Sequence, residues 1–267
     1  MFDLHEWIEK ANTIAISGHI RPDGDCIGAC FSLYSYIKAY APHKKVQVLL
    51  EEIPQDFDFL IKETDVIGDA LDLFIALDCG DQKRLGKSGS IMNQAKQTCN
   101  IDHHISNTNF GVVNYIEPEA SSTCEILYTL MKEKYISYEI AQALYTGVIH
   151  DTAVFKHSNT SKKTMEIAAK LMDKGIPFGK IIDESFYQKS YKQLQILGRC
   201  LLESIRILDG KCIFSVVTRK MMSFYEAVPS DLSGAIDQLR TTDGICVAIL
   251  LTETIPGEYK ISMRSND

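Results

Sequence analysis

The strongest constraint on the fold is a set of short apolar runs in the first part of the chain. They lie at residues 13–17 (TIAIS), 46–50 (VQVLL), 73–77 (LFIAL) and 98–101 (TCNI). Near-continuous apolar runs of this length are typical of strands buried on both faces of a parallel sheet. A helical pattern over residues 27–40 separates the first two runs. The alternation predicts an α/β fold, in which helices cover both faces of a parallel sheet.

The second part of the chain changes character. Residues 161–206 read as helical, including a long amphipathic segment over 191–205, and strand-like runs follow at 212–218, 245–252 and 259–263. We therefore predict a first domain over residues 1–189, a linker helix over 190–208 and a smaller α/β domain over 209–267.

Charge and composition limit the classes of function. The net charge is −7 and the sequence pI is about 5.5, which argues against a general basic surface for long nucleic acid. No run approaches the roughly 18 apolar residues of a membrane helix, and the acidic N-terminus lacks the apolar segment of a secretory signal. We expect a cytoplasmic protein. Its eight cysteines contain no C-x-x-C pair and are expected to be free thiols.

Polar groups follow the ends of four apolar segments. They are His19, Asp23 and Asp25 after the first run, Asp78 after the third, Asp102, His103 and His104 after the fourth, and Asp151 after residues 144–149. Ligands of open α/β sheets bind at the carboxyl ends of strands. Mixed oxygen and imidazole ligands suit Mn²⁺ better than Ca²⁺, and gathered carboxylates need cations. The pattern predicts two divalent metal ions, expected to be Mn²⁺, at a site for phosphoryl transfer.

Taken singly, these residues also have structural interpretations. Asp23 lies in a Pro-Asp-Gly turn, and Asp78 or Asp151 alone reads as a helix N-cap. Lys156 and His157 could equally well be exposed surface residues or contacts to a phosphate. For Arg84, a structural ion pair is slightly favoured over phosphate binding. Only the combination favours the metal site.

The sequence resembles the DHH phosphoesterase family in four motifs that occur in the family's order. They are HIRPDGD at 19–25, ALDCGD at 76–81, DHH at 102–104 and HDTAVF at 150–155. Residues 261–265 (ISMRS) resemble the start of the DHH-associated substrate-binding domain. Within the family, the chain most resembles the bifunctional oligoribonuclease (nanoRNase)/pAp phosphatase type.

The resemblance implies a role for each motif residue. Asp78 would bridge the two ions and, with His104, form the catalytic pair, while Asp102 would orient a histidine. The implied metal ligands are His19 and Asp23 for the first ion, Asp25, His103 and Asp151 for the second, and Asp78 for both. The candidate substrate contacts are His104, Arg84, Lys156, His157, Ser262 and Arg264.

The resemblance also implies the reaction. We expect Mn²⁺-dependent hydrolysis of short oligoribonucleotides or linear dinucleotides to mononucleotides, and of 3′-phosphoadenosine-5′-phosphate to AMP. A homodimer is a family-level expectation. The alternatives are an inorganic or polyphosphate phosphatase of the same superfamily, and a nucleotide-binding regulator that does not hydrolyse.

The chain departs from the family pattern at two places. It stops at Asp267, before the G-G-G-H loop that contacts substrate in this type, so we expect an incomplete second domain that lacks these substrate contacts. Ala153 stands where the family has glycine, a change that should be tolerated unless the position needs a positive φ.

Overall fold

The computed structural model describes residues 2–68 and 70–266, so Asp267 lies outside the described residues. Contacts divide the chain into two compact units, residues 1–187 and residues 188–267. Among the described residues, no helix combines the length and the apolarity that a membrane crossing requires.

The first unit is built on a five-stranded sheet in the order β2-β1-β3-β4-β5, with every neighbouring pair parallel. Its strands are β1 Thr13–Ser17, β2 Lys45–Leu49, β3 Leu73–Leu77, β4 Gln97–Asp102 and β5 Val113–Ile116. Its helices are α1 Leu4–Lys10, α2 Gly24–Tyr40, α3 Ser88–Met92, α4 Thr123–Leu130, α5 Tyr138–Asp151, α6 Lys162–Met172 and α7 Phe178–Ile182. The prediction of a parallel α/β sheet is confirmed.

Alternate strand residues serve opposite faces of this sheet because side chains alternate along a strand. Ile75 packs into the large core on one face, with Leu33 of α2 and Leu144 of α5. Phe74 packs on the other face with Met92 of α3. All five residues of β3 are buried, which explains why this run is apolar throughout.

Glycines allow α2 and α5 to pack closely. A Cβ atom on Gly28 would lie 2.4 Å from the carbonyl oxygen of Ala143, and one on Gly147 would lie 2.6 Å from Asp25 Oδ1. These positions leave no room for a side chain, so α5 lies directly against the acidic first turn of α2.

The second unit has a four-stranded mixed sheet in the order β6-β7-β8-β9, in which only the β7–β8 pair is parallel. Its elements are α8 Tyr191–Leu202, β6 Ile205–Ile207, β7 Cys212–Val217, α9 Arg219–Phe224, α10 Ala235–Arg240, β8 Val247–Ile255 and β9 Glu258–Ser265. The prediction of a smaller α/β unit is confirmed. Ile196 and Cys200 of α8 are buried in its core, within the segment predicted as a linker, whose boundaries at 190 and 208 stay a prediction.

Candidate metal centre

The loop after β1 directs His19 towards two carboxylates. His19 is buried, and its Nδ1 donates a hydrogen bond to the carbonyl oxygen of Ile20 at 2.9 Å. Its Nε2 lies 3.6 Å from Asp23 Oδ2 and 3.5 Å from Asp78 Oδ2. Asp23 is the N-cap of α2, and its Oδ1 accepts the backbone N–H groups of Asp25 and Cys26. The cap leaves the other oxygen of Asp23 facing His19.

Asp78 lies between two histidines. It follows β3 with a left-handed φ of 51° and is buried. Its Oδ2 faces His19, whereas its Oδ1 is 3.6 Å from His103 Nε2 and 3.5 Å from His104 Nδ1. One carboxylate therefore presents an oxygen to ligand groups on each side, as a bridging ligand must.

Asp25 is fully buried beneath the N-terminus of α4. Its oxygens accept the backbone N–H groups of Thr123 at 2.7 Å and Cys124 at 2.9 Å. Burial raises the pKa of Asp25 well above its usual range, and the carboxylates of Asp151 and Asp78 raise this pKa further. An ionised Asp25 therefore needs nearby positive charge beyond the helix N-terminus.

Asp151 approaches from a helix. The sequence placed this motif at a strand end, which is wrong because residues 144–149 belong to α5 and Asp151 is its last residue. A short apolar run does not distinguish a buried strand from a buried helix turn. Asp151 Oδ2 lies 2.9 Å from His103 Nε2, and burial raises the pKa of Asp151 to about 6.

The residues fit a divalent metal. His103 Nε2 is buried and makes no hydrogen bond, although oxygens of Asp151 and Asp78 lie 2.9 and 3.6 Å away. Ligand atoms lie within 4.8 Å of one another in three groups: Asp78, Asp102, His103 and His104; His19, Cys26 and Asp78; and Asp25, His103 and Asp151. An unpartnered buried imidazole nitrogen facing carboxylates is explained by a shared cation.

The pKa values of two histidines reflect the excess of carboxylates. Burial lowers the pKa of His19, but the nearby carboxylates of Asp23 and Asp78 outweigh it and raise the pKa to about 11. The pKa of His103 also rises to about 11, because Asp151 and Asp78 outweigh its burial. Without a metal cation, protons on His19 and His103 balance the negative charge of the carboxylates instead.

Asp102 orients the neighbouring histidines. This fully buried carboxylate accepts the backbone N–H of His103 at 2.8 Å and Nδ1 of His104 at 2.7 Å. Asn107 donates to Asp102 Oδ2 and also to Asn100 Oδ1. The hydrogen bond that His104 donates to Asp102 raises the pKa of His104. The two asparagines were not identified from the sequence, which carries no pattern linking them to the D-H-H motif.

Residues 13–148 match the family model described as "DHH family, N-terminal domain". The chain belongs to the DHH family. Phosphoesterases of the DHH family use divalent metal ions, and membership identifies this chain as a hydrolytic phosphoesterase.

Named relatives extend the similarity over most of the chain. A probable bifunctional oligoribonuclease and PAP phosphatase NrnA from Streptococcus mutans is 25% identical over 264 residues, covering 97% of this chain and 83% of the relative. The Thermus thermophilus bifunctional oligoribonuclease and PAP phosphatase NrnA is 26% identical over 263 residues, covering 94% and 76%. The crystal structure of an exopolyphosphatase-related protein from Bacteroides fragilis has a TM-score of 0.85 at 24% identity, covering 98% and 82%, and supports the fold.

The predicted substrate residues occupy both units. His157 Nδ1 contacts the carbonyl oxygen of Asp151 at 3.3 Å, next to exposed Lys156. Arg84 is exposed, and its carbonyl oxygen accepts the N–H of Ile20, which joins the first DHH motif to the segment that follows the second. Ser262 and Arg264 lie on β9 of the second unit.

The turn after Asp151 is strained. Ala153, Val154 and Phe155 have successive φ values of 47°, 56° and 63°, the left-handed region that glycine adopts most easily. Position 153 therefore does need a positive φ, and alanine there stores strain in this DHH motif. The turn returns the chain so that the N–H groups of Lys156 and His157 donate to the Thr152 carbonyl.

Glu125 also belongs to the surroundings of the site. Its Oε2 accepts hydrogen bonds from Ser121 Oγ at 2.6 Å and Thr164 Oγ1 at 2.7 Å. Ser122 and Glu125 have the spacing of a capping box, in which each side chain would bond to the backbone N–H of the other, but only half of it forms. Ser122 caps α4, but the buried Glu125 carboxylate binds these hydroxyls instead of returning to the cap.

Proposed function

We propose that the chain is a two-metal phosphoesterase that uses Mn²⁺ to hydrolyse short oligoribonucleotides and 3′-phosphoadenosine-5′-phosphate. The observation that carries the metal assignment is the placement of Asp78, with one oxygen towards His19 and the other towards His103. The substrate assignment is supported by the relatives named bifunctional oligoribonuclease and PAP phosphatase.

The proposed ligand sets follow the two sides of Asp78. His19 and Asp23 would hold one ion with Asp78. Asp25, His103 and Asp151, whose ligand atoms lie within 4.8 Å of one another, would hold the other ion with Asp78. When bound, divalent ions would supply an activated water nucleophile and positive charge for the phosphate oxygens.

His104 is the proposed proton donor towards substrate. Asp102 accepts its Nδ1–H at 2.7 Å and raises the pKa of the ring, which favours the imidazolium form that carries a second proton on Nε2. About a third of its side chain is exposed, which leaves Nε2 accessible to a phosphate oxygen. Donation there would stabilise charge on the substrate.

The other proposed substrate contacts are cations and a hydroxyl. In the first unit, Lys156, His157 and Arg84 would bind phosphates of a short substrate. In the second unit, taken by itself, Arg264 is a proposed contact to phosphate and Ser262 a proposed contact to a sugar hydroxyl. Such a substrate suits a chain whose net charge is −7, because local cations rather than a basic surface would hold it.

The test is release of mononucleotide from a short RNA, with 3′-phosphoadenosine-5′-phosphate, pyrophosphate and polyphosphate assayed in parallel. We expect turnover of the first two with Mn²⁺ and none with EDTA. Turnover of pyrophosphate or polyphosphate alone would favour the inorganic phosphatase. Nucleotide binding without hydrolysis would favour the regulator.

Asp78→Asn tests the bridging role. We expect turnover to fall by at least about 100-fold, because the amide removes a charge that both ions would share. Asp58→Asn, a change at an exposed carboxylate, is the matched control and should leave turnover unchanged. An active Asp78→Asn protein would contradict the site.

A further inference from the structure

A buried thiol lies among the groups proposed to hold the first ion. Ligand atoms of His19, Cys26 and Asp78 are within 4.8 Å of one another. The exposed fractions of the three residues are 4%, 0% and 2%. The ligands of one Zn²⁺ ion lie at most about 4.4 Å apart, given Zn–S near 2.3 Å and Zn–N or Zn–O near 2.1 Å. The three ligand atoms are therefore close enough for small side-chain shifts to bring them into one coordination shell.

The backbone holds the sulfur in this place. The Cys26 N–H donates to the Asp23 cap at 3.2 Å, which fixes the residue in the first turn of α2. A Cβ atom on Gly18 would lie 2.2 Å from Cys26 Sγ, so the sulfur occupies space that only glycine leaves free, one residue before His19. The thiol makes a long contact of 3.9 Å with the His19 carbonyl oxygen and also interacts with the neighbouring Cys30 thiol.

The two proposed metal positions differ in their donors. The group of Asp25, His103 and Asp151 offers only nitrogen and oxygen, whereas the group of His19 and Asp78 also includes sulfur. Thiolate ligands favour Zn²⁺ and related ions, while carboxylate and imidazole sites accept Mn²⁺. A difference in ligand softness within one centre can place different metals at its two positions.

We propose that Cys26 is a sulfur ligand of the ion held by His19 and Asp78, and that this position prefers a thiophilic ion such as Zn²⁺ or Co²⁺. The inference rests on the proposed metal centre but on none of its substrates. Binding breaks the S–H bond and forms a sulfur–metal bond, and the proton passes to solvent.

The experiment is a Co²⁺ titration of the metal-free 267-residue protein, followed by near-ultraviolet absorption. We expect a sulfur-to-cobalt charge-transfer band in the wild-type protein. Cys26→Ser should lose the band while still binding Co²⁺, and its Zn²⁺ affinity should fall by about 10- to 100-fold with a smaller change for Mn²⁺. Cys30→Ser, one helical turn away and equally buried, should keep the band.

Each contrary result is informative. Cobalt binding without the band, or a band that survives in Cys26→Ser, would overturn the sulfur ligand and leave the metal centre intact. Absence of any Co²⁺ or Mn²⁺ binding would overturn the metal centre itself. If Cys26→Ser does not fold, X-ray absorption of the zinc-loaded wild-type protein decides, because a sulfur ligand appears at about 2.3 Å from zinc.

Discussion

At the scale of single residues, the carboxylate of Asp72 holds the first residues of several strands together. Its Oδ2 accepts the N–H groups of Asn12 at 2.9 Å and Thr13 at 3.2 Å, and its Oδ1 pairs with Lys96 Nζ at 2.8 Å. The ion pair with Lys96 and the Asn12 N–H lower the pKa of Asp72 to about 2. The residue therefore joins the beginnings of β1, β3 and β4.

Because this pKa is lowered, the stabilisation from Asp72 is present above pH 4 and is lost as the pH falls through about 2. We expect Asp72→Asn to reduce the free energy of unfolding at neutral pH by about 1–2 kcal/mol. The difference from wild type should shrink as the pH falls from about 4 to 2. Urea unfolding across this range measures it, and a pH-independent difference would contradict the argument.

At Ala153, by contrast, we expect a substitution to stabilise the protein. Ala153→Gly should raise the free energy of unfolding by about 0.5–1 kcal/mol, because relief of the left-handed strain exceeds the entropy cost of glycine. Ala169→Gly on the exposed face of α6 is the matched control and should lower it by about 1 kcal/mol. Thermal and urea unfolding compare the two variants. A destabilised Ala153→Gly protein would show that the turn is not strained.

The sequence could predict the charged residues of the site but not what orients them. His19, Asp78 and His103 are recognisable because they follow apolar runs at one edge of a sheet. Asn107 and Glu125 are not, because their roles depend on contacts with distant residues: Glu125 binds Thr164, and Asn107 binds Asn100. Buried polar groups need partners, and only the folded structure shows which they are.

At the scale of elements, α4 positions the ligands through its N-terminus. Thr123 and Cys124 donate to Asp25, while Glu125 fixes the preceding Ser121. We expect Glu125→Gln to reduce metal affinity by about 10- to 100-fold and the free energy of unfolding by about 1–3 kcal/mol. The reason is that the glutamine amide would point an N–H group at hydroxyls that now donate to the carboxylate. Isothermal titration with Mn²⁺ measures the first effect.

Glu166→Gln on α6 is the control for this change. Glu166 is exposed and pairs with Lys162 at 3.5 Å, so its replacement should alter stability by less than about 0.5 kcal/mol and leave metal affinity unchanged. Unaltered Mn²⁺ binding in Glu125→Gln would mean that α4 does not depend on this carboxylate for its position.

Elements were predictable where burial was complete. β1 and β3 appear as unbroken apolar runs because both faces are covered, and β4 was recognised apart from its ends. β5 was missed, since its four residues, Val113–Ile116, are only half-buried at the sheet edge and two of them are polar or amphipathic. The end of α5 was taken for a strand end because its residues are buried without a break from Ala143 to Ile149.

At the scale of the whole molecule, each unit has a core of its own, and every proposed metal ligand lies in the first. Leu239 is fully buried in the second core. Leu239→Ala should destabilise that unit by about 2–5 kcal/mol and leave Mn²⁺ affinity unchanged. Leu144→Ala, an equally buried change in α5, should weaken Mn²⁺ binding because α5 carries Asp151.

The two variants are compared by Mn²⁺ titration and by limited proteolysis under the same conditions. Loss of Mn²⁺ binding in Leu239→Ala, under conditions in which the first unit resists protease, would show that the centre depends on the second unit.

The position of Asp151 at the end of α5 has a consequence for biosynthesis. Residues from His19 to His104 emerge from the ribosome well before α5. In the folded structure α5 packs against the first turn of α2, where a Cβ atom on Gly147 would lie 2.6 Å from Asp25 Oδ1. A nascent chain that ends before α5 would lack one proposed ligand. We therefore expect the nascent chain to bind metal ions stably only after α5 has been translated. Metal binding would then follow the completion of this part of the first unit.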